Sequence, residues 1–417
     1  MNKGGSSRLV NRRVIAGAAA VVAALSVAAC SSSGSSSSAG AAGTSGTSSS
    51  GGSGPIKVLV LSQLQAASFS FPEIANGAQA SADSINAAGG VNGHKIVITT
   101  CNDQGDPNVA ATCGRTAVQG GYAAVINPVS LYSASFMPIL QAGQVAAVGG
   151  TPLTAPDFTS PVSFPATGGN PLDYGGAGYV AAKNGCKTAG IIRDTAAATD
   201  ETQKDFQDGF TAGGGSPITT VIKQAGTSPD FSGPVSQIVS SGVDCLLIGE
   251  QPQAVAKIVA SVRQSSKPNL PIYTIAAAFP QALVTSLGKA ADGVTVTESF
   301  SIPTPAATPT FWADMTKYQP GAVKSGQALL GWMGVQIVKD MAGSAKAYDH
   351  AALLTALNHA SDINVEGLAS ALNFTVPNPV PAYARIFAKD NYAYKVANGT
   401  FTPLFGGQPQ NVSAALK

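Results

Sequence analysis

The chain has 417 residues, of which only 11% are charged, 44% hydrophobic and 6% aromatic. Its 24 basic residues nearly balance its 22 acidic ones, and four of the basic ones (Lys3, Arg8, Arg12, Arg13) stand at the start. With no Lys/Arg run or basic patch anywhere else, the balance gives no support to a nucleic-acid or polyanion partner.

After that positive start, residues 14–29 read "VIAGAAAVVAALSVAA", apolar or small throughout. The run is shorter than the roughly 20 residues a membrane-spanning helix needs, and it ends in small residues suited to a peptidase. Residues 1–29 therefore read as a signal peptide. Val27-Ala28-Ala29-Cys30 resembles the bacterial lipobox, which implies lipid attachment at the Cys30 thiol and cleavage before it. Arg12-Arg13 also admits twin-arginine export. Residues 30–54 are almost wholly Ser, Gly, Ala and Thr. Such a segment buries too little apolar surface to offset its ordering entropy, and it reads as a flexible tether spanning roughly 25–30 Å.

From residue 55 the pattern alternates between strand and helix. "IKVLVLS" is a near-continuous aliphatic run, as in a strand covered on both faces. Ile74, Ala78, Ala82 and Ile85 then recur at helical spacing, and Gly89-Gly90 stops that helix. "HKIVITTC", "AAVIN" and "VAAVGG" continue the alternation. A second series has strands "KTAGIIRD", "ITTVIKQ", "DCLLIGE", "PIYTIAA" and "GVTVTESF", with helices between them. Two such series predict an α/β chain with two doubly wound parallel-sheet lobes. The tail adds three helices and a strand-like stretch with Asn398-Gly399 as a tight-turn signal. Trp332 and Met333 lie on an apolar helix face, as core residues do.

Five cysteines leave an odd thiol in an exported protein. With Cys30 set aside for lipid, Cys101, Cys113, Cys186 and Cys245 allow three pairings. Cys101–Cys113 would join a strand end to the next helix, and Cys186–Cys245 the starts of two neighbouring strands; this pairing is favoured. There is no Cys-x-x-Cys, and His94, His350 and His359 show no ligand spacing, so neither a metal nor a cofactor is expected.

"INAAGGVNGHKIVITTCNDQGDP" (85–107) resembles the signature of periplasmic binding proteins of the leucine/isoleucine/valine type, and "VAAVGGTPLTAPDF" resembles another stretch of that family. The resemblance runs from residue 56 to about 404. It implies the type I periplasmic-binding-protein fold, with lobes of residues 55–167 plus 299–376 and 168–298 plus 377–417, joined by a three-segment hinge. It further implies a monomer that closes on a small solute and passes it to the permease of an ABC importer of the branched-chain amino acid type. The glycines of the first motif and Asp106-Pro107 read as scaffold, permitting a tight turn and a helix entry.

In open α/β sheets, ligands bind beyond the carboxyl ends of the strands. That selects loops 63–71, 127–132 and 150–154 in one lobe, and 194–199, 250–253 and 276–279 in the other. By the resemblance, Ser130, Thr151 and Thr154 offer hydroxyls to an acidic group and Phe69 and Tyr132 an apolar wall, while capping is the plainer role of each hydroxyl. Ala198, Gln251 and Ala277 occupy the opposite loops. The family usually has an aromatic residue near Ala198 and a carboxylate near Ala277. A ligand ammonium buried there would lack its counter-charge, so the ligand is expected to be an organic or aromatic acid or an amide. Glu250 offers a substitute there, with facing solvent as its equal alternative. An exported hydrolase is the enzymatic rival, but no Gly-x-Ser-x-Gly elbow is present. A receptor subunit of the same fold, sensing the ligand, is the other rival.

Overall fold

The computed structural model describes residues 54–66, 70–126, 129–197 and 199–417. Cys30, Phe69 and Ala198 lie outside the described residues. In β1 (Ile56–Ser62), Val58 and Val60 enter one core while Leu59 and Leu61 enter another, which is why the strand is aliphatic without alternation. Helix α1 (Glu73–Ala87) buries Ile74, Ala78, Ala82 and Ile85, the face its spacing predicts. Beyond it Gly89 and Gly90 take φ of 105° and 76°. A side chain on Gly90 would collide with the His94 carbonyl, so this turn requires glycine. His94 is structural here: its Nδ1 meets the Gly54 carbonyl oxygen at 2.9 Å and its ring lies 4.3 Å from that of Tyr348.

The first series continues with β2 (Ile96–Asn102), α2 (Pro107–Gln119), β3 (Ala124–Ile126), α3 (Ser133–Ala142), β4 (Ala146–Val148), α4 (Ala155–Thr159) and β5 (Ser163–Phe164). Asp106 caps α2, accepting from the N–H groups of Asn108 and Val109, with Pro107 in the first turn. The five strands form a parallel sheet in the order β2-β1-β3-β4-β5.

The second series comprises α5 (Gly169–Lys183), β6 (Ala189–Arg193), α6 (Thr199–Ala212), β7 (Thr220–Lys223), α7 (Ser232–Ser241), β8 (Cys245–Gly249), α8 (Pro252–Gln264), β9 (Ile272–Ile275), α9 (Gln281–Leu287) and β10 (Val294–Glu298). The chain then returns to the first core through α10 (Pro309–Tyr318), α11 (Gly326–Ser344) and α12 (His350–Asn358). Close packing of α11 on α1 depends on two small residues: a side chain on Gly77 would strike the Ala328 carbonyl, and one on Gly331 the Ile74 carbonyl. Trp332 and Met333 are buried there, the Trp332 Nε1–H donating to Asp314.

Last come β11 (Asp390–Ala397), β12 (Thr400–Pro403) and β13 (Gln410–Asn411). The second sheet runs β12-β11-β10-β9-β8-β6-β7, with β13 beside β11. It is parallel from β10 to β7, but β11 and β12 join antiparallel, so this sheet is mixed where a parallel one was expected. β11 runs against β10 because the chain re-enters the sheet at the end where it left, Glu298 pairing with Tyr392, and the short turn at Asn398 and Gly399, both at positive φ, then folds β12 directly back on β11. Ile386, Phe387 and Ala388 are buried in the first core.

Both favoured disulfides are formed, Cys101–Cys113 and Cys186–Cys245. The second joins the amino ends of β6 and β8, adjacent strands in which Ala189 pairs with Cys245.

Candidate functional site

Each sheet has a topological switch point, where successive crossovers leave one strand in opposite directions and open a crevice at the carboxyl ends. In the first sheet it lies between β1 and β3, in the second between β6 and β8. The predicted loops gather at these two places and beside the segments joining the sheets.

At the first switch point the polar groups are occupied by one another. The Ser62 hydroxyl donates to the Val129 carbonyl at 2.6 Å and accepts from the Val129 N–H. Ser130 is buried and donates to Asp103 Oδ2 at 2.6 Å, while its oxygen accepts from the Tyr132 N–H. Asp103 also accepts from the Gly105 N–H. Replacing Ser130 by alanine leaves a buried Asp103 oxygen without this donor, and a loss of about 1–2 kcal/mol in a urea unfolding titration is expected. An unchanged midpoint would show that the bond carries no stability.

Tyr132 is half-buried against the core behind β3. Thr151 accepts at 3.3 Å from Thr167, whose hydroxyl also reaches the Gly150 carbonyl. Thr154 forms a capping box at α4: its N–H and hydroxyl both donate to Asp157, at 2.9 and 3.1 Å. Burial raises the Asp157 carboxyl above the usual range, against the pull of these bonds. The three predicted hydroxyls thus serve local geometry first, and Thr151 and Thr154 stay half-exposed.

The second switch point is acidic. Asp194 follows β6 and Glu250 follows β8, and the Asp194 N–H donates to the Gly249 carbonyl between the two strands. Asp194 Oδ1 accepts from the Ala196 N–H and its Oδ2 from the Gly226 N–H, at 2.7 Å each. Glu250 is only 4% exposed, and neither of its oxygens has a hydrogen-bond partner of normal geometry, although the Gln251 N–H faces the carboxyl group. Burial, with the adjacent Asp194 charge, pushes Glu250 up to about 8. Gln251 and Ala277 are exposed, Ala277 in a single 3-10 turn at Ala276–Ala278.

Sequence reasoning missed a third cluster, where the chain crosses between the sheets. Asp173, in the first turns of α5, and Glu298, the last residue of β10, are fully buried and hydrogen-bonded to each other. Asp173 Oδ1 accepts from the Ser299 N–H at 2.8 Å, and Ser299 Oγ accepts from the Gly168 N–H at 3.1 Å. Glu298 accepts from the Ala277 N–H. Burial raises Asp173 to about 6, and burial with the Asp173 charge raises Glu298 well above the carboxylate range. One cluster therefore ties two crossings to the exposed alanine turn. Its signal, two lone acids at the ends of unrelated elements, is too sparse to find in a sequence.

Among the described residues no group of three or more His, Cys, Asp or Glu side chains is placed to hold a metal ion, and no helix is long and apolar enough to cross a membrane.

Against known proteins, residues 55–381 match the family model described as periplasmic binding protein. A Leu/Ile/Val-binding protein, BraC3 of Rhizobium johnstonii, is 29% identical over 188 residues, 42% of this chain and 49% of that protein. The aligned part thus spans about half the length of that curated relative. The solved structure of a leucine-binding protein from Thermotoga maritima superposes with a TM-score of 0.65 at 18% identity, covering 84% of this chain and 97% of that one. A fatty acid ABC transporter substrate-binding protein from Thermomonospora curvata gives a TM-score of 0.69 at 17% identity, covering 87% and 94%.

Proposed function

From its membership of the periplasmic binding protein family, matched over residues 55–381, we propose that this chain is a lipid-anchored, monomeric solute-binding protein that captures a small organic ligand by hinge closure. Proteins of this family bind small ligands, act outside the cytoplasm and work with ABC transporters; the relatives found here are binding proteins, not enzymes. In this reading Cys30 carries the lipid and residues 31–54 tether two lobes, 55–167 with 299–376 and 168–298 with 377–417. The lobes close across the two switch points and deliver the ligand to an importer of the branched-chain amino acid type.

The observation that carries the ligand reading is the turn Ala276–Ala278, which offers methyl groups and an N–H already given to Glu298. An α-ammonium placed there would be buried without a counter-charge. The ligand is therefore outside the standard α-amino acids, an organic or aromatic acid or an amide in its acidic half, with Ser130, Thr151, Thr154 and Tyr132 on the facing loops.

A thermal-shift screen against amino acids, amides and organic acids tests this. A ligand at 100 times its dissociation constant stabilises the folded state by about 2.7 kcal/mol. Tight binding of leucine or valine, lost in Thr154→Ala, would overturn the ligand class; no shift with any solute would overturn the binding role. Mass spectrometry of the membrane fraction of the native host reads the Cys30 modification directly.

A further inference from the structure

The two switch points have the same architecture and opposite chemistry. In the first, the acid on the outer strand, Asp103, is satisfied by the Ser130 hydroxyl and the Gly105 N–H. In the second, Asp194 and Glu250 converge on Gly226: Glu250 Oε2 and Asp194 Oδ2 lie 2.8 and 2.9 Å from where a Cβ on that glycine would stand. Glycine leaves room for that approach, since a methyl group there would push both carboxylate oxygens aside.

Among the described residues no cation meets either carboxylate. Arg193 directs its guanidinium to Gln203, Thr199, Asp200 and the Asp194 backbone carbonyl, and to neither carboxylate of the pair. Lys223 is on Asp200, and Lys257 donates to the Ser228 carbonyl. An acid 96% buried, with both oxygens free of normal hydrogen bonds, stands at the place where doubly wound sheets take their ligands. Leaving such a group unpaired costs free energy, and a bound cation removes the cost.

We infer that Asp194, Glu250 and the bare backbone of Gly226 form a cradle for a primary ammonium group on the captured solute. Two oxygens that each come within 2.9 Å of one point are close enough for a single nitrogen to contact both. A primary ammonium fits because it is compact and carries three donors, and both Glu250 oxygens are open acceptors; a guanidinium is a wide planar fork. The cradle follows β6 and β8, not β9, so the solute's nitrogen is set apart from the position that Ala276–Ala278 leaves uncharged. This rests on the solute-binding reading and narrows it: the ligand is an acid or amide that also bears a distant amine.

Calorimetric titration of the purified protein with 5-aminopentanoate, cadaverine and pentanoate tests the inference on the wild type, Glu250→Gln and Gly226→Ala. Glu250→Gln keeps the shape and removes the charge; Asp194→Asn is a second variant in case either fails to fold. The expected result is at least tenfold tighter binding of an amine than of pentanoate by the wild type, with that preference lost in Glu250→Gln and in Gly226→Ala. Equal affinity for amine and pentanoate, no amine binding by the wild type, or a preference surviving in Glu250→Gln overturns the cradle. A shift with some amine-free acid in the solute screen would then leave the binding role standing, so the two failures are distinguishable.

Discussion

Replacing Asp173 by alanine is expected to lower the unfolding free energy by about 4 kcal/mol, because the change leaves the Ser299 N–H and the Glu298 carboxyl buried without their partner. In a thermal scan of a body this large it is a fall of roughly 5 °C. Asparagine at the same position can accept from Ser299 and donate to Glu298, so Asp173→Asn should retain most of the stability. The two variants separate further with pH. A carboxyl whose folded value is raised contributes its full stability below the unfolded value of about 4 and loses it as pH climbs through the folded value. Asp173 is raised to about 6, so urea midpoints of the wild type should decline between about pH 4 and pH 6. That decline should become shallower in Asp173→Asn, with Glu250, raised to about 8, still contributing to what remains. A wild type with level midpoints over that window would mean the pair is not strained by burial.

The second large effect concerns the bridge between β6 and β8. Cys186 and Cys245 are 59 positions apart, and opening a loop of that size returns chain entropy worth about 4 kcal/mol to the unfolded state. The paired Cys186→Ser, Cys245→Ser variant should therefore be destabilised by about that amount in denaturant titration. The Cys101–Cys113 bridge closes a span of only 12 positions, and its removal should cost about 3 kcal/mol or less. Equal losses for the two bridges would refute a loop-entropy account. Because β6 and β8 carry Asp194 and Glu250 at their far ends, the larger loss also bears on the acidic switch point.

The strand and helix series was legible because each element buries a surface of its own period. β1 fills two cores at once, and α1 shows one stripe. The cysteine pairing was legible for the same reason, since it needs only the order of elements. The short pieces were not: α4 has five residues and β5 two, too few for any period to show. The mixed character of the second sheet begins with β11, which enters beside β10 from the end where the chain had left; the Asn398-Gly399 signal marked only the hairpin that follows it. The site was legible only as a set of loops. Asp194 meets Glu250 because β6 and β8 lie side by side although β7 stands between them in the chain, a fact of sheet order. Ser299 reaches Asp173 across 126 positions. Hydroxyls such as Thr154 read equally as cap or contact, and only coordinates show what they already bond.

The return of α10, α11 and α12 to the first core sets a timetable for the emerging chain. Helix α1 is complete at Ala87, yet the helix that covers it begins only at Gly326. Between the two lie five of the second sheet's eight strands, β6 to β10, which can assemble while the earlier half waits with Ile74 and Ala78 uncovered. A nascent chain halted before residue 326 would thus hold the parallel part of one sheet assembled and the other body with an open apolar side, the species on which a holding chaperone acts.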